Sequence, residues 1–152
     1  MKDSAVLAHK SFHVAYEIDM LRGGVVWLHN KRGADVFEKN AVLESFLIHV
    51  RNLIYFLWTD VPAKPDDMLA VDFFEDASVW KSKRPPKSAL LQDAYLLTHK
   101  QVAHLTYSRP VDPDEREWAP GSIFQDIAAV SQLFVDCVPP DRVHPDLRRF
   151  QR

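Results

Sequence analysis

The sequence predicts an all-α fold. Apolar residues recur at helical spacing over long stretches, no stretch alternates polar and apolar residues as a half-buried strand does, and there are only four glycines. The ten prolines all fall after residue 60, so long helices are expected early and punctuated connections later. With 152 residues and 47% hydrophobic content, the chain suits a single domain, 1–152, with a substantial core.

The first helix is expected over residues 4–28, with Ser4 as its N-cap. Val6, Leu7, Phe12, Ala15, Ile18, Met20, Leu21 and Val25 are its apolar positions. Gly23 and Gly24 each cost about 1 kcal/mol relative to alanine inside a helix, so it is expected to kink or stop there. The second helix is expected over 34–58. At 100° per residue, Val42, Leu43, Phe46, Leu47, Val50, Leu53, Ile54 and Leu57 gather on one arc. Glu44, Ser45, His49, Arg51 and Asn52 fall opposite, but Ile48, Tyr55 and Phe56 join them there. That mixture predicts a central helix whose polar residues are partly buried.

Residues 60–86 read as a connection opened by VPAKPDD and closed by KSKRPP, with a short helix between. Phe73, Phe74 and Trp80 in that segment are expected to cover the bundle. A connection of this length is also expected as a lid or binding element. The third helix spans 88–107 with Ser88 as its cap, and its packing positions include Leu90, Leu91, Tyr95, Val102, Leu105 and Thr106. A loop over 109–119 leads to the fourth helix, 120–137, which opens on Pro120, a favoured first-turn residue. PPDRVHP forbids further regular helix, so 139–152 reads as an irregular tail with Arg142, Arg148, Arg149 and Arg152 in solvent. The expected architecture is four main helices in a bundle.

Composition narrows the function. Nineteen Lys and Arg against 21 Asp and Glu give a formal charge of −2, without the basic excess that supports non-specific nucleic-acid binding. The longest uncharged apolar stretch, 53–59, is far short of the roughly 18 residues of a membrane span. MKDSAVLAHKSFH lacks the apolar core of a signal peptide, so a cytoplasmic protein without membrane contact is expected. Cys137, alone in its chain and within an apolar run, reads as a buried thiol. No GxGxxG, Walker A, HExxH, CxxC or GxSxG pattern occurs, and no cofactor is expected.

Three constellations can carry chemistry. On the second helix, Glu44, His49, Arg51 and Asn52 lie in ESFLIHVRNLIYFL. Glu44 and Arg51, two turns apart, can pair with each other; alternatively Arg51 offers its guanidinium fork to a phosphate or carboxylate. On the third helix, HKQVAHLTYSR holds His99, Lys100, His104, Tyr107 and Arg109. His104 and Tyr107, three apart, can share a face, and either histidine suits acid–base work near neutral pH or a place in the core. On the first helix, His9, His13 and Glu17 recur every four residues, a stripe for a metal, for solvent or for a partner. Glu-x-x-His spacing, usual in bundle metal sites, is missing.

The run ESFLIHVRNLIYFL, a long connection and then HKQVAHLTYSR resemble the small helical HEPN-like proteins of prokaryotes, over about residues 10–110. The resemblance implies a four- or five-helix bundle, commonly dimeric, from toxin–antitoxin and defence systems, whose active members are metal-independent endoribonucleases. Arg51–Asn52 matches the first half of that family's Arg-polar…His pattern. Phe56, Leu57 and Trp58 stand where its His is expected, so a catalytic site would draw on His104 or His49 from elsewhere. The resemblance then implies that His104 moves a proton of the ribose 2′-hydroxyl or the leaving oxygen, Arg51 stabilises the phosphoryl charge and Asn52 orients it. His49, Glu44, Tyr107 and His99 are the accompanying binding candidates.

Three functions stay open: a self-associating, non-catalytic binding or regulatory module, with a second copy, RNA or a protein as partner; a HEPN-like ribonuclease; and a metal-dependent bundle enzyme using His9, His13 and Glu17.

Overall fold

A computed structural model describes residues 2–31, 33, 35–102, 107 and 118–151. Among the described residues all regular structure is helical. In chain order come α1 (Ser4–Lys10), α2 (Phe12–Asn30), α3 (Val36–Trp58), α4 (Ala77–Lys83), α5 (Ala89–Gln101), α6 (Pro120–Cys137) and α7 (Pro145–Arg148). Turns of 3-10 helix stand at Ala70–Phe73 and Pro140–Arg142.

The helix expected over 4–28 is two helices. Asp3, rather than Ser4, caps α1, its carboxylate accepting the amides of Ala5 and Val6 at 2.8 and 3.2 Å. Ser11 interrupts the chain: its buried hydroxyl donates to the Ala8 carbonyl at 2.8 Å and accepts the His144 amide at 2.6 Å. At Gly23–Gly24, by contrast, α2 neither stops nor breaks. Gly24 allows close approach of α3, since a Cβ there would stand 3.2 Å from Cβ of Phe46. The two helices run antiparallel, with Glu17 level with His49 and Asn52 and Gly24 level with Phe46.

α3 is the central element and packs against α2, α5 and α6. Phe46, Leu47, Val50, Leu53, Ile54 and Leu57 are buried as their arc predicts, and His49 and Phe56 are buried as well. By length and composition α3 is also long and apolar enough to cross a membrane, which the uninterrupted apolar stretch alone does not suggest. Its buried apolar residues pack against neighbouring helices of the same chain, while Val36, Phe37 and Ile48 are exposed.

The connection after α3 closes the core. Phe73 and Trp80 are fully buried and, with Phe56, Phe74 and Phe134, form an aromatic cluster with most pairs edge to face at 5.1–6.1 Å. The Trp80 indole N–H and a guanidinium N–H of Arg84 both donate to the Leu57 carbonyl at 3.0 Å, satisfying an end of α3 that lacks a helical partner.

Ser88 caps α5 as expected, accepting the Leu91 amide at 3.2 Å, and its hydroxyl donates to Asp126 of α6 at 2.7 Å. The described part of that helix ends at Gln101, so Leu105, Thr106, His104, Arg109 and most of the 109–119 loop lie outside the described residues. α6 begins on Pro120 and ends at Cys137, as predicted.

The tail expected to be irregular and solvated is so only in part: it forms two short helical turns and buries three side chains, while Arg152 lies outside the described residues. Val143 and Leu147 are buried, and Arg142 is 3% exposed, donating to the Phe73 carbonyl at 3.3 Å and to Glu75 at 3.2 Å. Three closely spaced prolines forbid a long helix yet favour the first turns of two short ones. Arg148 and Arg149 are exposed, Arg149 pairing with Asp19 of α2. Cys137 is half-buried, 3.5 Å from the Lys83 ammonium.

Candidate functional site

The outward polar side of α3 has two neighbours. Towards α2, His49 is 7% exposed and its Nδ1, facing a carboxylate and so in the donor role, meets Oε2 of Glu17 at 2.7 Å. Asn52 donates from Nδ2 to both oxygens of Glu17 at 3.3 Å. The Tyr16 ring stands edge-on to the imidazole, 5.7 Å between centroids. Glu17 thus orients a buried histidine and an exposed amide from the neighbouring helix.

Towards α5 and the 60–67 loop, Arg51, Asn52, Tyr55, Lys64, Asp67, Tyr95 and His99 surround a cleft of about 390 Å³. Helical spacing puts Arg51 and Tyr55 on one face of α3, and Tyr95 and His99 on one face of α5. The two rings on α5 touch edge-on, 6.4 Å apart. Lys87 lies 5.2 Å from the Tyr95 ring, where burial pushes its ammonium pKa down.

Tyr55 fixes the loop wall. Its hydroxyl donates to Asp67 at 2.6 Å and accepts the Ala63 amide at 2.8 Å, while the Lys64 amide reaches the same Asp67 oxygen at 2.9 Å. The Tyr55 hydroxyl, with the Lys64 amide, holds the Asp67 carboxyl below its usual range. The same bond raises the Tyr55 phenol, whose phenolate would face a carboxylate. Asp67 is therefore committed to its tyrosine and loop backbone.

Arg51 has no such commitment. It is half-buried, and among the described residues it makes no ion pair or hydrogen bond. Pairing with Glu44, one sequence alternative, does not occur: Glu44 is exposed on its own. A second hollow of about 210 Å³, lined by His13, Glu17 and Met68 among others, shares Asn52, Tyr55 and Asp67 with the Arg51 cleft. The two adjoin as one trough along α3, with Asn52, Tyr55 and Asp67 at the junction.

The trough sorts the expected site residues. Arg51, Asn52 and His99 face one cleft, and His49 is buried behind Asn52 on Glu17. Tyr107 is fully exposed, and its geometry relative to His104 lies outside the described residues. His9 is on α1, whereas His13 and Glu17 are on α2, with Glu17 held by His49 and Asn52. No group of three or more His, Cys, Asp or Glu placed to hold a metal occurs among the described residues.

No family model, curated protein or solved structure matches the chain.

Tyr55, Lys64, Asp67 and Tyr95 were not singled out by sequence. Tyr55 had a signal, its four-residue spacing from Arg51. Lys64 and Asp67 had none, because an irregular loop carries no periodicity.

Proposed function

We propose that this chain is a HEPN-like helical binding module, its four long helices framing a bundle, that takes an anionic, phosphate-bearing ligand in the Arg51 cleft without transforming it. One observation carries the reading: a half-buried guanidinium without a carboxylate partner among the described residues opens into a cleft also lined by an amide, an ammonium and an imidazole, whose one lining carboxylate, Asp67, is engaged by Tyr55 and the Lys64 amide. An unpaired guanidinium fork suits two phosphoryl oxygens, and Asn52 adds a donor beside it. Tyr95 and His99 offer rings on which a base can stack. A single-stranded RNA segment meets all of these chemistries. Self-association belongs to the same reading, supported by the half-exposed row Phe12, Tyr16 and Met20 along α2.

The test is binding of a fluorescent single-stranded RNA oligonucleotide with EDTA present, followed by anisotropy and by gel for cleavage. Intact RNA, bound more weakly as salt rises and at least tenfold more weakly by Arg51→Ala, is the expected result. Binding unchanged in Arg51→Ala overturns the site; the absence of binding overturns the ligand class.

A second reading, a metal-independent ribonuclease, is favoured by the presence of His99 in the cleft with Arg51. There, His99 would move the proton and Arg51 would stabilise the phosphoryl charge. EDTA-resistant cleavage lost in Arg51→Ala and His99→Ala would establish it. Loss in His104→Ala instead would return the role to the histidine that the resemblance implies.

A further inference from the structure

A separate cavity of about 430 Å³ lies between α2, α6 and Phe150, within the roughly 300–1,000 Å³ of small-molecule pockets. It shares no residue with the Arg51 trough. Ile18, Leu21, Phe124 and Phe150 supply apolar wall, and Ala128 leaves space on the α6 side. Three polar residues interrupt that wall; Gln132 is spent on Asp136 and the Phe150 carbonyl, which leaves two.

The first is Arg22, exposed at the rim, its guanidinium carbon 5.3 Å from the centre of the Phe150 ring. Among the described residues it has no carboxylate partner, whereas Arg149, on the same ring at 4.9 Å, is paired with Asp19. The second is Ser131, 4% exposed, whose hydroxyl has no hydrogen-bond partner among the described residues. That oxygen is itself covered by protein, so it is not open to the cavity. Ala128 and Ala129 line the α6 side of the cavity with small side chains.

We propose that this cavity binds a small monocarboxylate with an apolar body, its carboxylate on Arg22 and its hydrocarbon between Ile18, Leu21 and Phe124. The Arg22 guanidinium, unpaired among the described residues, matches one negative charge, and the wall from Ile18, Leu21 and Phe124 suits a hydrocarbon body. A guanidinium gives the carboxylate two parallel hydrogen bonds and sets the ligand's orientation.

Isothermal titration of the full chain with octanoate, beside its neutral counterpart octanamide, tests this. Saturable one-to-one octanoate binding is expected, at least tenfold weaker for octanamide and for Arg22→Gln. Ala128→Phe, which fills the cavity, is expected to abolish it. Arg22→Gln, at an exposed position, keeps the test decisive if Ala128→Phe does not fold. No saturable octanoate binding, equal binding of octanamide, or wild-type affinity in Arg22→Gln would each overturn the proposal.

Discussion

Glu17 is where two helices agree on one polar contact: its carboxylate takes the His49 ring N–H and the Asn52 amide together. Removing it leaves the buried imidazole without its partner, and an abandoned buried donor costs about 1–3 kcal/mol. Glu17→Ala is therefore expected to lose that much in urea unfolding. Most of the loss should disappear in a His49→Leu background, where no donor is stranded. Tyr55 makes a different prediction, because Asp67 is only half-buried and its main effect is on titration. Its lowered carboxyl contributes stability at pH above the ordinary carboxylate range, lost as pH falls through the folded value. Tyr55→Phe should move the Asp67 pKa up towards the ordinary value of about 4, read by carboxyl carbon resonances. At this scale Arg51 and Asn52 could be found from helical periodicity alone, because spacing fixes direction. Asp67 could not: its partner is a tyrosine twelve residues upstream, and only the folded loop brings them together.

Two helix starts were readable from local signals, although Asp3, an equally local cap, was passed over for Ser4. Ser88 and Pro120 do what their chemistry predicts, since a cap needs only the next three residues. The other two errors on the first helix have non-local causes. Ser11 interrupts it through a bond to His144, and Gly23–Gly24 stays helical because Phe46 lies against it. Those glycines make a matched pair. At Gly23 nothing stands within 4 Å of an added Cβ, so Gly23→Ala should gain about 0.5–1 kcal/mol from helix propensity. At Gly24 the same methyl meets fully buried Phe46, and overpacking offsets the gain. Gly24→Ala should fall at least about 1 kcal/mol below Gly23→Ala in thermal or urea melts.

Over the whole molecule, the largest departure from expectation is the last dozen residues, which belong to the core. Charge and proline made them read as solvated, yet Val143 and Leu147 are buried and Arg142 crosses to Phe73 and Glu75. Sequence could not separate a buried arginine from an exposed one, because the difference is which carbonyl waits for it. Arg142→Ala should cost about 2–3 kcal/mol in urea unfolding, because hydrogen bonds to a charged donor are lost and a buried stem is removed. Arg148→Ala, at an exposed position, should stay within about 0.5 kcal/mol of wild type.

The Ser11–His144 bond also sets an order of events. It spans 133 residues, and α1 rests on the Pro140–Arg142 turn as well as on its chain neighbour α2. Closing so long a loop costs entropy that only an already assembled core repays. The first helix in sequence is thus expected to dock late, and Ser11→Ala should speed unfolding while leaving the folding rate nearly unchanged in stopped-flow urea jumps.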